Sequence, residues 1–180
     1  MDERLARMRA GGHPVRLRIL SLLTGADLSA TDVARELDLT HANASYHLRV
    51  LEKAGLIVIA GEEKVRGGTV KRYRHPWEEA AGWSAPEPSD PEAVAEERQA
   101  YVRASVDELV RRYARSVHGK EVATDAELWV TPEVWDEVRE RITEASHLLH
   151  GRAQAPRSPG TVHVNLTAFA FVMADEEERQ

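Results

Sequence analysis

Between Pro14 and Pro76 the chain changes its hydrophobic period in a fixed order, and that order constrains the fold more than any other feature. Pro14 suits the first position of a helix, Val15, Ile19, Leu22 and Leu23 recur behind it at three-to-four spacing, and Gly25 ends the run. Ser29-Ala30-Thr31-Asp32 is a capping-box variant opening a second helix, with Val33, Ala34 and Leu37 inward. Asp38-Leu39 makes a tight turn. Thr40 then caps a third helix over 41–54, whose inner face is Ala44, Leu48 and Leu51 and whose end is Ala54-Gly55. The period now changes. Leu56 to Ile59 predicts a short β-branched strand, Gly61 to Gly68 a polar tip, and Thr69 to Arg74 an alternating second strand that Pro76 stops. Tyr73, between Arg72 and Arg74, is expected in the core. Three short helices followed by a hairpin is the order of a winged helix-turn-helix.

The flanking segments extend this frame. Residues 3–10 form a short amphipathic piece, with Leu5 and Met8 on one side, closed by Gly11-Gly12. Residues 77–90 contain Pro86, Pro88, Gly82 and Ser84 without a period and read as a linker. Asp90-Pro91 opens a long helix to about His118, striped by Val94, Tyr101, Val102, Val106, Leu109, Tyr113 and Val117. About 28 residues at ~1.5 Å each span roughly 42 Å, more than so small a domain covers alone. A second copy is the simplest cover. The last third reads as strand 128–130, helix 132–150 opened by Thr131-Pro132-Glu133, loop 151–160 and alternating strand 161–173. Residues 175–180 form an acidic tail.

Several stretches resemble ArsR-type transcriptional regulators. They are His13-Pro-Val-Arg-Leu-Arg-Ile-Leu20, Asp32 to Thr40 running into Ser45-Tyr-His-Leu48, Leu51-Glu-Lys-Ala-Gly-Leu56, and the tip and return strand Arg66 to Arg74. The match covers residues 13–76, a little over a third of the chain. It implies DNA binding, with helix 41–54 in the major groove and the 57–74 hairpin as wing. A helix fits that groove, where base edges present a donor and acceptor code, and its first turns supply the contacts. Those turns carry Thr40, His41, Asn43, Ser45 and Tyr46, with Arg49 further along. Lys64, Arg66, Lys71, Arg72 and Arg74 of the hairpin suit phosphates or the minor groove. Arg16 and Arg18 are candidates for further backbone contacts. His47 is expected to pack and hold the helix rather than read bases. Glu62 and Glu63 would repel phosphate.

Charge supports this division. The net charge is −6, yet residues 1–76 hold 13 Lys and Arg against 9 Asp and Glu, whereas residues 77–180 hold 11 against 21. The basic excess coincides with the DNA-binding candidate.

Other chemistries find less support. With no cysteine there is no disulfide, thiolate metal site or cysteine nucleophile. The resemblance implies that metal-sensing relatives carry cysteines where this chain reads Ala34-Arg-Glu-Leu37, or Asp and His on the dimer helix, where this one has only His118. His147 and His150, one turn apart with Glu144 alongside, could ligate a metal but are expected to face the helix C-terminal dipole instead. No Gly-rich phosphate loop or nucleophile elbow is present, and the carboxylates are expected on solvated faces. His163, Asn165, Phe169, Phe171 and Met173 share one face of the last strand near Trp129 and Trp135. That mixture suits either a small-molecule pocket or, preferably, a dimer interface.

The expected fold is therefore α+β: a winged helix-turn-helix at 1–76, a linker at 77–90, and at 91–180 a long dimerisation helix with a small β-α-β unit. The expected function is a dimeric, sequence-specific transcriptional regulator, a repressor, on an inverted-repeat operator of double-stranded DNA. It is expected to be no enzyme, with no catalytic residue, cofactor or metal, and to take an unidentified small-molecule effector if any. A protein-interaction module without DNA binding and a ligand- or metal-responsive sensor are the alternatives. No run approaches the ~18–20 apolar residues of a membrane helix, and Met1-Asp2-Glu3-Arg4 opens no signal core, so a cytoplasmic protein is expected.

Overall fold

A computed structural model describes residues 3–65, 68–78, 91–117 and 119–174. In chain order its elements are α1 (Glu3–Gly11), α2 (Pro14–Gly25), β1 (Leu28–Ser29), α3 (Ala30–Leu37), α4 (His41–Lys53), β2 (Val58–Val65), β3 (Gly68–Arg74), α5 (Pro91–Tyr113) and α6 (Pro132–Gly151). The fold is α+β, and its first part is a winged helix.

Local signals set these boundaries as the sequence suggests. His13 caps α2, its Nδ1 accepting from the Val15 amide at 3.1 Å. Ser29 and Asp32 complete a full capping box on α3, and Asp38 ends it in the left-handed region at φ 54°. The Thr40 hydroxyl accepts from the Asn43 amide at 3.2 Å and starts α4. The apolar faces of α2, α3 and α4 close on one core of Ile19, Leu23, Val33, Ala34, Ala44, Leu48, Leu51, Ile57 and Tyr73. Ile19, Leu23, Leu48, Leu51, Ile57 and Val33 are wholly enclosed. At ~1.5–3 kcal/mol for each large buried side chain, this cluster is the main stabilising element of the described chain.

The sheet differs from expectation in two ways. It has three antiparallel strands in the order β1-β3-β2, because Leu28 and Ser29 pair with Tyr73 and Arg72. Two residues are too few to show a period, so β1 is silent in the sequence. The expected polar tip is largely strand: Glu62, Glu63 and Lys64 pair with Lys71, Val70 and Thr69. Glu62, Glu63 and Lys64 are exposed, so the backbone ladder continues where no hydrophobic alternation marks it. The register shifts between Ile59 and Gly61, a bulge that adds local twist to the hairpin.

Helix α5 lies across α1 and α2. Gly11 permits this approach, since a Cβ there would sit 3.2 Å from the Tyr101 ring, and Arg9 pairs with Glu97 at 2.7 Å. The helix is shorter than expected, ending at Tyr113. Its ladder tightens there, with the Arg115 and Ser116 amides donating to the Arg112 and Tyr113 carbonyls. Its 23 residues span about 35 Å. Its expected stripe divides between two faces: Val94 is buried and Tyr101 packs at Gly11, whereas Val102, Val106, Tyr113 and Val117 are exposed, and Ala104, Ser105 and Glu108 complete the inner face.

The expected β-α-β unit is only partly formed. Helix α6 is present, capped by Thr131 at the Val134 amide. Residues 128–130 and 161–173 enter no sheet. A strand requires a hydrogen-bonded neighbour, and neither segment has one among the described residues. No described helix is long and apolar enough to cross a membrane. Linker residues 79–90, His118 and tail residues 175–180 lie outside the described residues.

Candidate nucleic-acid interface

Helix α4 rests on the core through Ala44, His47, Leu48 and Leu51 and turns its opposite side outward. That side carries His41, Asn43, Tyr46 and Arg49, all exposed, with Tyr46 at 53%. Ser45 is half-buried, and its carbonyl accepts from Arg49 Nε at 3.3 Å. Thr40 is exposed at the helix start, where its hydroxyl serves as the cap. Six of the expected contact residues therefore gather on one end and face of one helix.

His47 is buried, and it is fixed by rings rather than by a hydrogen bond. Its ring centroid lies 5.0 Å from that of His13 and 5.3 Å from that of Tyr46. Its Nδ1 is enclosed without a hydrogen-bond partner. Burial lowers its pKa, and His13, Arg16 and Arg18 lower it further. The His13 pKa is lowered by burial and then by Arg16 and Arg18. The two imidazoles thus join the start of α2 to the middle of α4.

The hairpin presents Lys64 and Lys71 exposed, with Arg74 exposed and 4.0 Å from Glu78. Arg66 lies outside the described residues. Arg72 has another role at the base of the hairpin. It lies 3.2 Å from Glu63 and 3.7 Å from Asp32, and donates to the Asp27 carbonyl at 3.4 Å. Asp32 itself accepts from the Ser29 hydroxyl at 2.7 Å and from Arg35 at 2.9 Å. The Ser29 hydrogen bond, ahead of Arg35, holds the Asp32 carboxyl below its ordinary pKa, so it stays ionised as an anchor for Arg72. Tyr73 is in the core, as expected, and burial raises its phenol pKa, with Glu52 adding to the effect.

Arg16 and Arg18, the candidates for further backbone contacts, have partners within the chain. Arg16 donates to the Ala10 and Arg9 carbonyls, tying α2 to α1. Arg18 lies 3.6 Å from Glu108, a carboxylate only 3% exposed. Glu108 therefore departs from the expectation that carboxylates sit on solvated faces. Burial alone would raise its pKa, but hydrogen bonds from Arg111 and the charges of Arg111, Arg18 and Arg112 keep it net lowered. Arg111 approaches to 2.7 Å and Arg112 to 3.4 Å. The i, i+3 and i, i+4 spacing of Glu108 to Arg111 and Arg112 is readable from sequence; the pairing with Arg18, ninety residues away, has no sequence signal.

The candidate sensor residues are also placed. The Trp77 ring lies 5.8 Å from that of His147 and 5.3 Å from that of His150. His150 Nδ1 is 2.7 Å from the Ser146 carbonyl oxygen. Among the described residues no three His, Asp or Glu side chains converge as a metal site. Asn165 accepts from Arg112 at 2.9 Å, while Trp129 is 87% exposed.

The same stretch of chain is similar to known proteins. Residues 12–59 match the family model described as a helix-turn-helix domain. A 49-residue stretch is 37% identical to the transcriptional repressor SdpR of Bacillus subtilis (strain 168), covering 27% of this chain and 54% of that protein. The chain thus spans about half the length of this curated relative. Core, caps and match coincide: residues 12–59 are a helix-turn-helix domain, and the hairpin behind it supplies a wing.

Proposed function

We propose that the chain is a dimeric, sequence-specific DNA-binding transcriptional regulator that acts as a repressor, of the kind its ArsR-type resemblance implies. The observation that carries this reading is α4: a helix anchored by four buried residues that offers His41, Asn43, Tyr46 and Arg49 outward within a helix-turn-helix domain. Asn donates and accepts at once, which suits an adenine edge, and Arg suits guanine. Lys64, Lys71 and Arg74 of the wing reach phosphates, while Arg72 orients the wing against α3. Similarity to a relative named as a repressor supports the sign of regulation. The unit at 91–180 dimerises and is where a small-molecule effector would act.

The exposed stripe Val102, Val106, Val110 and Tyr113 on α5 supports a two-fold pair of chains. Two α4 helices so related would enter successive major grooves about 34 Å apart on an inverted repeat. Selection of bound duplexes from a random library tests this. The expected product is an inverted repeat, and Asn43→Ala is expected to relax base preference at one position per half-site by about 1–3 kcal/mol. Recovery of unrelated sequences by the unaltered chain would instead favour a protein-interaction module.

A further inference from the structure

The carboxyl-terminal half encodes a β-α-β unit that it does not close by itself. Residues 161–173 contain no Asp, Glu, Lys or Arg. Their even positions, Val162, Val164, Leu166, Ala168, Ala170 and Val172, form a wholly apolar face at strand period. Val162 is 82% exposed and Val172 77%. Among the described residues, the only ordered backbone hydrogen bond from this segment to a loop is that of the Thr161 amide to the Ser158 carbonyl. Helix α6 repeats the pattern: Trp135, Val138, Ile142, Ala145 and Leu149 fall at three-to-four spacing, and no residue of the helix is buried.

Strands with a free edge are normally guarded by charge or proline, and residues 161–173 contain neither. The amount of uncovered surface is also that of an interface. The exposed Leu, Val, Trp, Phe and Met side chains between 128 and 173 present on the order of 1,000 Å², where a stable dimer takes about 800 Å² from each partner.

We propose that a second copy of this chain covers this surface, with residues 161–173 of the two copies pairing as antiparallel strands about a two-fold axis. An uncharged strand can face its own copy without like-charge repulsion. Centred on Thr167, the pairing sets Leu166 opposite Ala168, Val164 opposite Ala170 and Val162 opposite Val172, so that large residues mostly meet small ones. The α6 stripe packs on the apolar face of the sheet so formed. The surface continues the α5 stripe, because Arg112 near the end of that helix holds Asn165 at 2.9 Å. The inference rests on the two-copy reading above and adds an interface that the α5 stripe alone does not require.

The absence of native cysteine makes a single-cysteine scan of the full chain, from position 163 to 171, a direct test. Under mild oxidation, a disulfide between copies is expected to peak sharply at one position, Thr167→Cys for the register above, and to fall away on both sides. Val164→Lys is expected to weaken dimerisation at least tenfold by sedimentation. A dimer that gives no cross-link anywhere in the scan overturns the strand pairing and leaves dimerisation through α5 standing. A chain that sediments as a monomer overturns both. A Trp129→Cys/Val164→Cys variant that closes within one copy also overturns the pairing.

Discussion

The two halves of this molecule solve the problem of burying apolar side chains in opposite ways. In the winged helix, Leu48 and Leu51 of α4 are 1% and 0% exposed, enclosed by α2, α3 and the hairpin. In the last third, Leu148 and Leu149 of α6 are 63% and 41% exposed. The residue type is the same, and the caps are equally well formed, Thr40 on α4 and Thr131 on α6. The difference shows that local signals make a helix while only tertiary cover makes a core. The first half carries its own complement of faces. The second is left with a helix and two extended segments whose faces point outward.

The same truncation in both halves is the strongest way to break this comparison. Leu48→Ala is expected to cost about 2–5 kcal/mol of the chain's unfolding free energy, read by urea denaturation. Leu166→Ala, at a position 47% exposed in the single chain, is expected to cost under about 1 kcal/mol in dilute protein and more as concentration rises. Equal costs at low concentration would mean that the second half has a core of its own.

A smaller effect sharpens the comparison from the side of charge. The folded-state pKa values of His13, His47 and His75 are lowered, in each case first by burial. Arg16 and Arg18 act on the first two, and His150 and Arg7 on the third. Below the ordinary value of about 6.5 the unfolded chain therefore binds more protons than the folded one. The associated stability is fully present above pH ~6.5 and is lost as pH falls toward the lowered folded values. Thermal unfolding across pH 5 to 8 is expected to show this decline, and His47→Gln to flatten it. A profile unchanged by that substitution would show that His47 does not contribute to the decline.

Much of the first half is legible in the sequence because each helix carries its own punctuation. Pro14, the Ser29–Asp32 box, Thr40 and Gly55 mark ends, and the apolar residues between them recur at helical period. The exposed residues of α4 follow from the same period, which is why sequence alone identifies the outward face. What sequence does not reveal depends on contacts distant along the chain. Strand β1 exists through Tyr73 and Arg72, Arg72 is drawn to Asp32, and Arg18 is drawn to Glu108. The alternation of 161–173 is legible too, but pattern records a preference for a sheet and not the neighbour that completes it. For the same reason the apolar stripe of α5 is split: Val94 is buried on the inner face together with the small Ala104 and Ser105, while Val102 and Val106 face away.

The central claim, that the winged-helix half meets DNA despite a net charge of −6, is tested most directly by affinity for duplex DNA across a salt series. Log affinity is expected to fall linearly with log salt, with a slope of about −0.9 per phosphate neutralised, and Lys64→Ala and Lys71→Ala are each expected to shrink that slope by about 1. Affinity independent of salt, or a slope unmoved by both substitutions, would contradict it.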